Sequence, residues 1–192
     1  MTMLAQNVVP SEAQAHTLDF RVYGLVHVRR GMPISRYLNQ RERTYVPMTM
    51  CRVFRPGHEQ QPSESELLYE TDFAALPKSR LAFLVGGVAE PPAERTGREP
   101  RQVCVMYPLF VLTGTIYVPP RVRMSDHLSN LYGVRPFVEL ADVHVGRPRE
   151  GARVDQFDVV ARYPLVTVNV GLAGALFDVA EPVGRGFRSP DA

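Results

Sequence analysis

Gly114-Thr115-Ile116-Tyr117-Val118 repeats Gly24-Leu25-Val26-His27-Val28 at a distance of ninety positions, and Ser125-Asp126-His127-Leu128 repeats Ser35-Arg36-Tyr37-Leu38 at the same distance. After a two-residue insertion the register resumes: Tyr45-Val46-Pro47-Met48 faces Phe137-Val138-Glu139-Leu140, and Val53-Phe54-Arg55-Pro56 faces Val145-Gly146-Arg147-Pro148. Further on, Phe73 to Leu81 aligns without a gap with Phe157 to Leu165, and Val88-Ala89-Glu90-Pro91 returns as Val179-Ala180-Glu181-Pro182. Collinear blocks of this kind mark a tandem repeat. Two units are too few for a solenoid, so the expectation is two small modules in a pseudo-two-fold arrangement. Each half buries only a modest core alone, so the halves are expected to pack together.

The pattern inside each copy is that of an all-β fold with short helices. From Phe20 to Val28 apolar residues recur at every second position, the period of a half-buried strand, and the central glycine predicts a bend or bulge. Turns follow at Arg29-Arg30-Gly31-Met32-Pro33 and Pro119-Pro120-Arg121-Val122-Arg123. Ser35 and Ser125 then stand where a serine can cap a short helix, over Ser35 to Gln40 and Ser125 to Leu131, with Gly133 stopping the second. Strands follow over Tyr45 to Phe54 and Pro136 to Val145. Hairpins are expected at Leu68–Val85, turning at Pro77-Lys78-Ser79, and at Phe157–Val170, turning at Arg162-Tyr163-Pro164. Val103 to Leu112 reads as an extra strand. The predicted organisation is a flexible arm (1–17), a first small-barrel repeat (18–88), a linker (89–101), a second repeat (102–183) and a disordered tail (184–192).

The second copy resembles the Sm-like family of small β-barrels. The residues that carry the likeness are Gly114 and Ile116, Asp126 and Asn130, Leu140 and Asp142, then Arg162 with Val166 in the last hairpin. The resemblance implies a small, strongly bent antiparallel barrel and RNA contacts through Asp126, Asn130 and Arg162. In the first copy Arg36 and Gln40 replace the acid and the amide, which weakens the RNA implication and leaves the barrel.

Composition sets the function classes. Hydrophobic residues make up 45% of the chain and charged residues 22%, the proportions of a folded globular protein, and the net charge is +2. No apolar run reaches the length of a membrane span, and the first residues lack the basic and apolar regions of a secretory signal, so a cytoplasmic protein without a membrane role is expected. Cys51 and Cys104 occupy non-equivalent places and read as buried hydrophobes. His127 beside Asp126, and His144 near Asp142, lack the nucleophile or third ligand that catalysis or metal binding requires, and no phosphate-binding glycine loop occurs. A non-enzymatic protein without metal or cofactor follows.

Twenty-one of the 22 basic residues are Arg, Lys78 being the exception. Guanidinium groups suit planar, bidentate interface contacts. Arg29, Arg30, Arg36 and Tyr37 gather about the first helix, and Arg121 and Arg123 at the equivalent place in the second copy. These are the expected contact residues for a protein partner or for self-association through strand edges. The alternative is RNA or single-stranded DNA at the same surface, with Lys78 and Arg162 from the hairpin turns adding phosphate contacts.

Overall fold

The computed structural model describes residues 7–57, 61–89, 95–131, 135–149, 151 and 156–179. Ten strands form one antiparallel sheet in the order β10-β6-β7-β8-β9-β5-β1-β2-β3-β4. The first half contributes β1 (Val8–Thr17), β2 (Arg21–Arg29), α1 (Ile34–Leu38), β3 (Tyr45–Phe54), β4 (Leu67–Pro77) and β5 (Leu81–Gly86). The second contributes β6 (Glu99–Met106), β7 (Val111–Val118), α2 (Met124–Leu131), β8 (Phe137–Arg147), β9 (Asp158–Asn169) and β10 (Ala175–Asp178). Within each half the last strand pairs with the first, and the first four follow in sequence order.

Two expectations about architecture are corrected here. The sheet is open at both ends and does not close into two separate barrels. The halves are also not joined as a two-fold pair, which would set like strands against each other. Instead β9, the fourth strand of the second half, pairs with β5, the last strand of the first. That is a head-to-tail junction.

The predicted arm also proves to be a strand. Val8–Thr17 pairs with β2 along nearly its whole length and with β5 on its other side, so residues 8–17 are central to the sheet. Its sequence hides this, because the side chains it buries are Ala13, Ala15 and His16 rather than large aliphatics. The extra strand expected over Val103 to Leu112 is met in part by β6, the counterpart of β1, which begins at Glu99, inside the expected linker, and ends at Met106; Val111 and Leu112 belong to β7 after a turn at 107–110. The tail at 184–192 and the helix stop at Gly133 lie outside the described residues.

The expected bulge is present in both halves. Opposite Gly24 the β2–β3 register shifts, and opposite Gly114 the β7–β8 register shifts. A Cβ on Gly24 would stand 2.8 Å from the Thr49 carbonyl oxygen, and one on Gly114 would stand 3.0 Å from that of Ala141. The residues that follow those carbonyls, Met50 and Asp142, both turn into the left-handed region at φ 52°. This bulge bends each sheet half around its own core.

Neither expected hairpin forms. In the first half β4 and β5 flank a 3-10 turn at Lys78–Arg80 but do not pair with each other, because β4 lies against β3 while β5 crosses to pair with β1 and β9. The second half departs further. There is no turn at Arg162-Tyr163-Pro164; β9 runs straight through to Asn169, and a short 3-10 turn at Val170–Leu172 precedes β10. Pro164 is tolerated because its neighbours Tyr163 and Leu165 pair with Val143 and Ala141, which places it opposite the bulge residue Asp142. The gap-free alignment of Phe73 with Phe157 is therefore out of register. The ladder partners make Pro77, opposite Tyr45, the counterpart of Asn169, opposite Phe137.

Two apolar cores result, one under each half. They are not independent. Leu81 and Leu84 of β5 enter the first core, while Ala82 and Phe83 enter the second. This continuous apolar run is that of a strand covered on both faces. In return, Phe137 of the second half packs into the first core.

Candidate functional site

The head-to-tail junction is built from short backbone pairing locked by buried polar side chains. Phe83, Leu84 and Val85 of β5 stand opposite Val168, Thr167 and Val166 of β9. At the end of β9, Asn169 is buried, and its Nδ2 donates to the carbonyls of Lys78 and Leu81 at 3.2 and 3.0 Å. Its Oδ1 accepts the Gly171 N–H, so the same amide caps the turn leading to β10. The Tyr107 hydroxyl donates toward the carbonyls of Ala82 and Asn169, each 2.9 Å away, and burial raises its pKa far above the usual tyrosine range.

Helix α1 supplies the second lock. Ser35 does not cap its helix as expected. Pro33 takes the N-cap position, and the Ser35 hydroxyl donates across the junction to Oε1 of Glu139 at 2.9 Å. The other oxygen of Glu139 receives Nη2 of Arg95 at 3.1 Å, and the Arg95 guanidinium also lies over the Tyr117 ring, 5.2 Å from its centroid. Asn39, just after α1, bonds both the N–H and the C=O of Phe137.

At the ends of the sheet, β4 and β10 each have a neighbour on one side only among the described residues. β4 is long and shows its middle to solvent, with Tyr69 67% and Phe73 58% exposed. β10 is shorter, and Phe177 is its exposed aromatic.

The Arg and Tyr residues expected to form one contact surface are divided. Arg29 and Arg30 at the end of β2, Arg36 on α1, and Arg121 and Arg123 ahead of α2 are exposed. Tyr37 is not. It is 3% exposed, its ring lies under the Arg43 guanidinium at 5.4 Å, and its hydroxyl has no hydrogen-bond partner among the described residues. Lys78 is buried as well; its ammonium donates to the Gln40 carbonyl at 2.8 Å, and burial lowers its pKa.

The trio implied by the Sm resemblance is likewise dispersed. Asp126 is exposed on α2, while Arg162 is exposed in the middle of β9 opposite His144, not in a hairpin turn. No hydrogen bond or ion pair joins Asp126 to Arg162 among the described residues, and the side chain of Asn130 lies outside them. Cys51 and Cys104 are buried free thiols, and burial raises the pKa of Cys51. No helix among the described residues is long and apolar enough to cross a membrane.

Among the cavities of the described residues, one that the sequence reading passed over gathers arginines at the junction. It holds about 530 Å³ and lies at the junction, between α1, α2 and the β7–β8 region. Arg36, Arg95, Arg98 and Arg135 line it with His127 and Glu139. The clue in the sequence was the run of arginines through the expected linker, but only the sheet order brings them beside α1. The chain matches no protein-family model, no curated protein and no solved structure.

Proposed function

We propose that this chain is a non-enzymatic assembly module that associates with copies of itself, head to tail, through its two unlike sheet edges. The observation that carries this reading is the β9–β5 pairing. It joins a fourth strand of one half to a last strand of the other, and leaves free a fourth strand, β4, at one end and a last strand, β10, at the other. Those free edges are the two halves of the same junction. A heterologous contact of this kind repeats until it closes a ring or extends as a filament. Strand addition also satisfies the unpaired N–H and C=O groups of an exposed edge.

The internal junction supplies the register expected between chains. Ladder partners equate Leu84 with Leu176, since these face Ala15 of β1 and Val105 of β6. They equate Thr167 with Ala75, since these face Glu139 and Pro47. Because Leu84 stands opposite Thr167, Leu176 of one chain is expected opposite Ala75 of the next.

The experiment is size-exclusion chromatography with light scattering, followed by oxidation of a chain carrying Ala75→Cys and Leu176→Cys. Directly opposed residues in an antiparallel pair have the Cα spacing that a disulfide needs. A mass above the monomer, lowered by Phe73→Lys on β4, together with intermolecular crosslinks that require both cysteines, supports the proposal. A monomer at every concentration rejects it.

A further inference from the structure

We propose that the junction cavity is a binding site for a small polyanion carrying two or more phosphate groups. Among the described residues, four guanidinium groups line it, from Arg36, Arg95, Arg98 and Arg135, against one carboxylate, that of Glu139. That carboxylate is already engaged by Arg95 and by the Ser35 hydroxyl. Neither Arg98 nor Arg135 has a carboxylate within ion-pair distance among the described residues, and both side chains are exposed at the cavity.

Three features select the ligand class. Like-charged groups gathered around one space repel each other, and a multivalent anion relieves that repulsion. Guanidinium forks match phosphate oxygens in bidentate fashion. The cavity volume, about 530 Å³, is that of a small-molecule pocket rather than of a groove that tracks a polymer. His127 on α2 adds a fifth positive charge once protonated. Burial and the Arg98 charge now lower its pKa, and a bound polyanion acts in the opposite direction. The cavity spans both halves, so a ligand here ties α1 to the second half next to the Asn39–Phe137 contact.

The test titrates inorganic pyrophosphate into the full chain by calorimetry at constant ionic strength, with sodium chloride as the reference salt. Saturable one-to-one binding is expected, weakened at least about tenfold by Arg98→Ala with Arg135→Ala, as the loss of charge-assisted hydrogen bonds requires. Arg162→Ala, exposed on β9 away from the cavity, is expected to leave the affinity unchanged. The His127 ring resonance is expected to shift during the titration. Circular dichroism of the double variant checks its fold, which exposed substitutions leave intact. A single-stranded oligonucleotide is expected not to displace pyrophosphate. Absence of saturable binding, equal weakening by Arg162→Ala, an unmoved His127 resonance or displacement by the oligonucleotide would each overturn the proposal. The outcome is independent of oligomeric state, because every lining residue belongs to one chain.

Discussion

The carboxamide of Asn39 meets the backbone of Phe137 twice: Nδ2 donates to the Phe137 carbonyl at 2.7 Å, and Oδ1 accepts the Phe137 N–H at 3.1 Å. One side chain after α1 thereby completes the start of β8 in the other half, in the manner of an additional strand residue. Asn39→Ala leaves both backbone groups without that partner at a partly covered site. The expected loss is about 2 kcal/mol, read as a lower urea midpoint with an unchanged slope. Asn39→Asp keeps the acceptor but sets a carboxylate oxygen against the Phe137 carbonyl, so its loss is expected to be at least as large.

Met50 and Gly24 form the bulge of the first half and respond in opposite directions. Met50 holds φ 52° with its side chain 71% exposed, so it carries a left-handed backbone with little packing in return. Met50→Gly is expected to stabilise by about 0.5–1 kcal/mol. Gly24→Ala drives a Cβ to 2.8 Å from a backbone oxygen and is expected to destabilise by more than that. Thermal melting of the two variants beside the parent chain checks both signs.

Arg21 is fully buried, and its guanidinium reaches Oε2 of Glu66 at 2.9 Å and the Arg55 carbonyl at 3.1 Å. Glu66→Gln preserves the capping box with Ser63 but takes the Glu66 carboxylate charge away from the buried guanidinium. The expected cost is about 2–3 kcal/mol, below that of a wholly buried pair because Glu66 is partly exposed. Adding Arg21→Met to Glu66→Gln is expected to recover much of the loss, since the double variant buries no charge. A urea-denaturation double-mutant cycle measures the coupling.

His127 gives the chain a pH dependence whose sign follows from its surroundings. Burial, then the Arg98 charge, lowers its pKa from 6.5. Between 6.5 and that lower folded value the unfolded chain binds a proton that the native chain does not. Stability is therefore lost as pH falls through this window and levels off below it. His127→Gln removes this contribution, so the stability of the variant relative to the parent is expected to rise between about pH 7.5 and about pH 5. Denaturation at a series of pH values checks it.

The sequence by itself determined local structure wherever one side chain or one period decides it. Alternating Val22, Val26 and Val28 placed β2, and Gly24 and Gly114 located the bulges. It did not determine β1, whose Pro10, Glu12 and small buried residues lack apolar alternation. That segment is a strand because β2 and β5 supply hydrogen-bond partners on both sides. Nor did it determine that β9 runs through Pro164, which depends on a bulge in a different strand. Strand partnership is a property of edges rather than of side-chain order. An antiparallel edge accepts any strand whose apolar face matches its own, so a tandem repeat is equally consistent with a two-fold pair and with a head-to-tail chain. Only the tertiary structure set β5 against β9. That choice left unlike edges at the two ends, buried Phe83 in the other half's core, and brought the linker arginines beside α1.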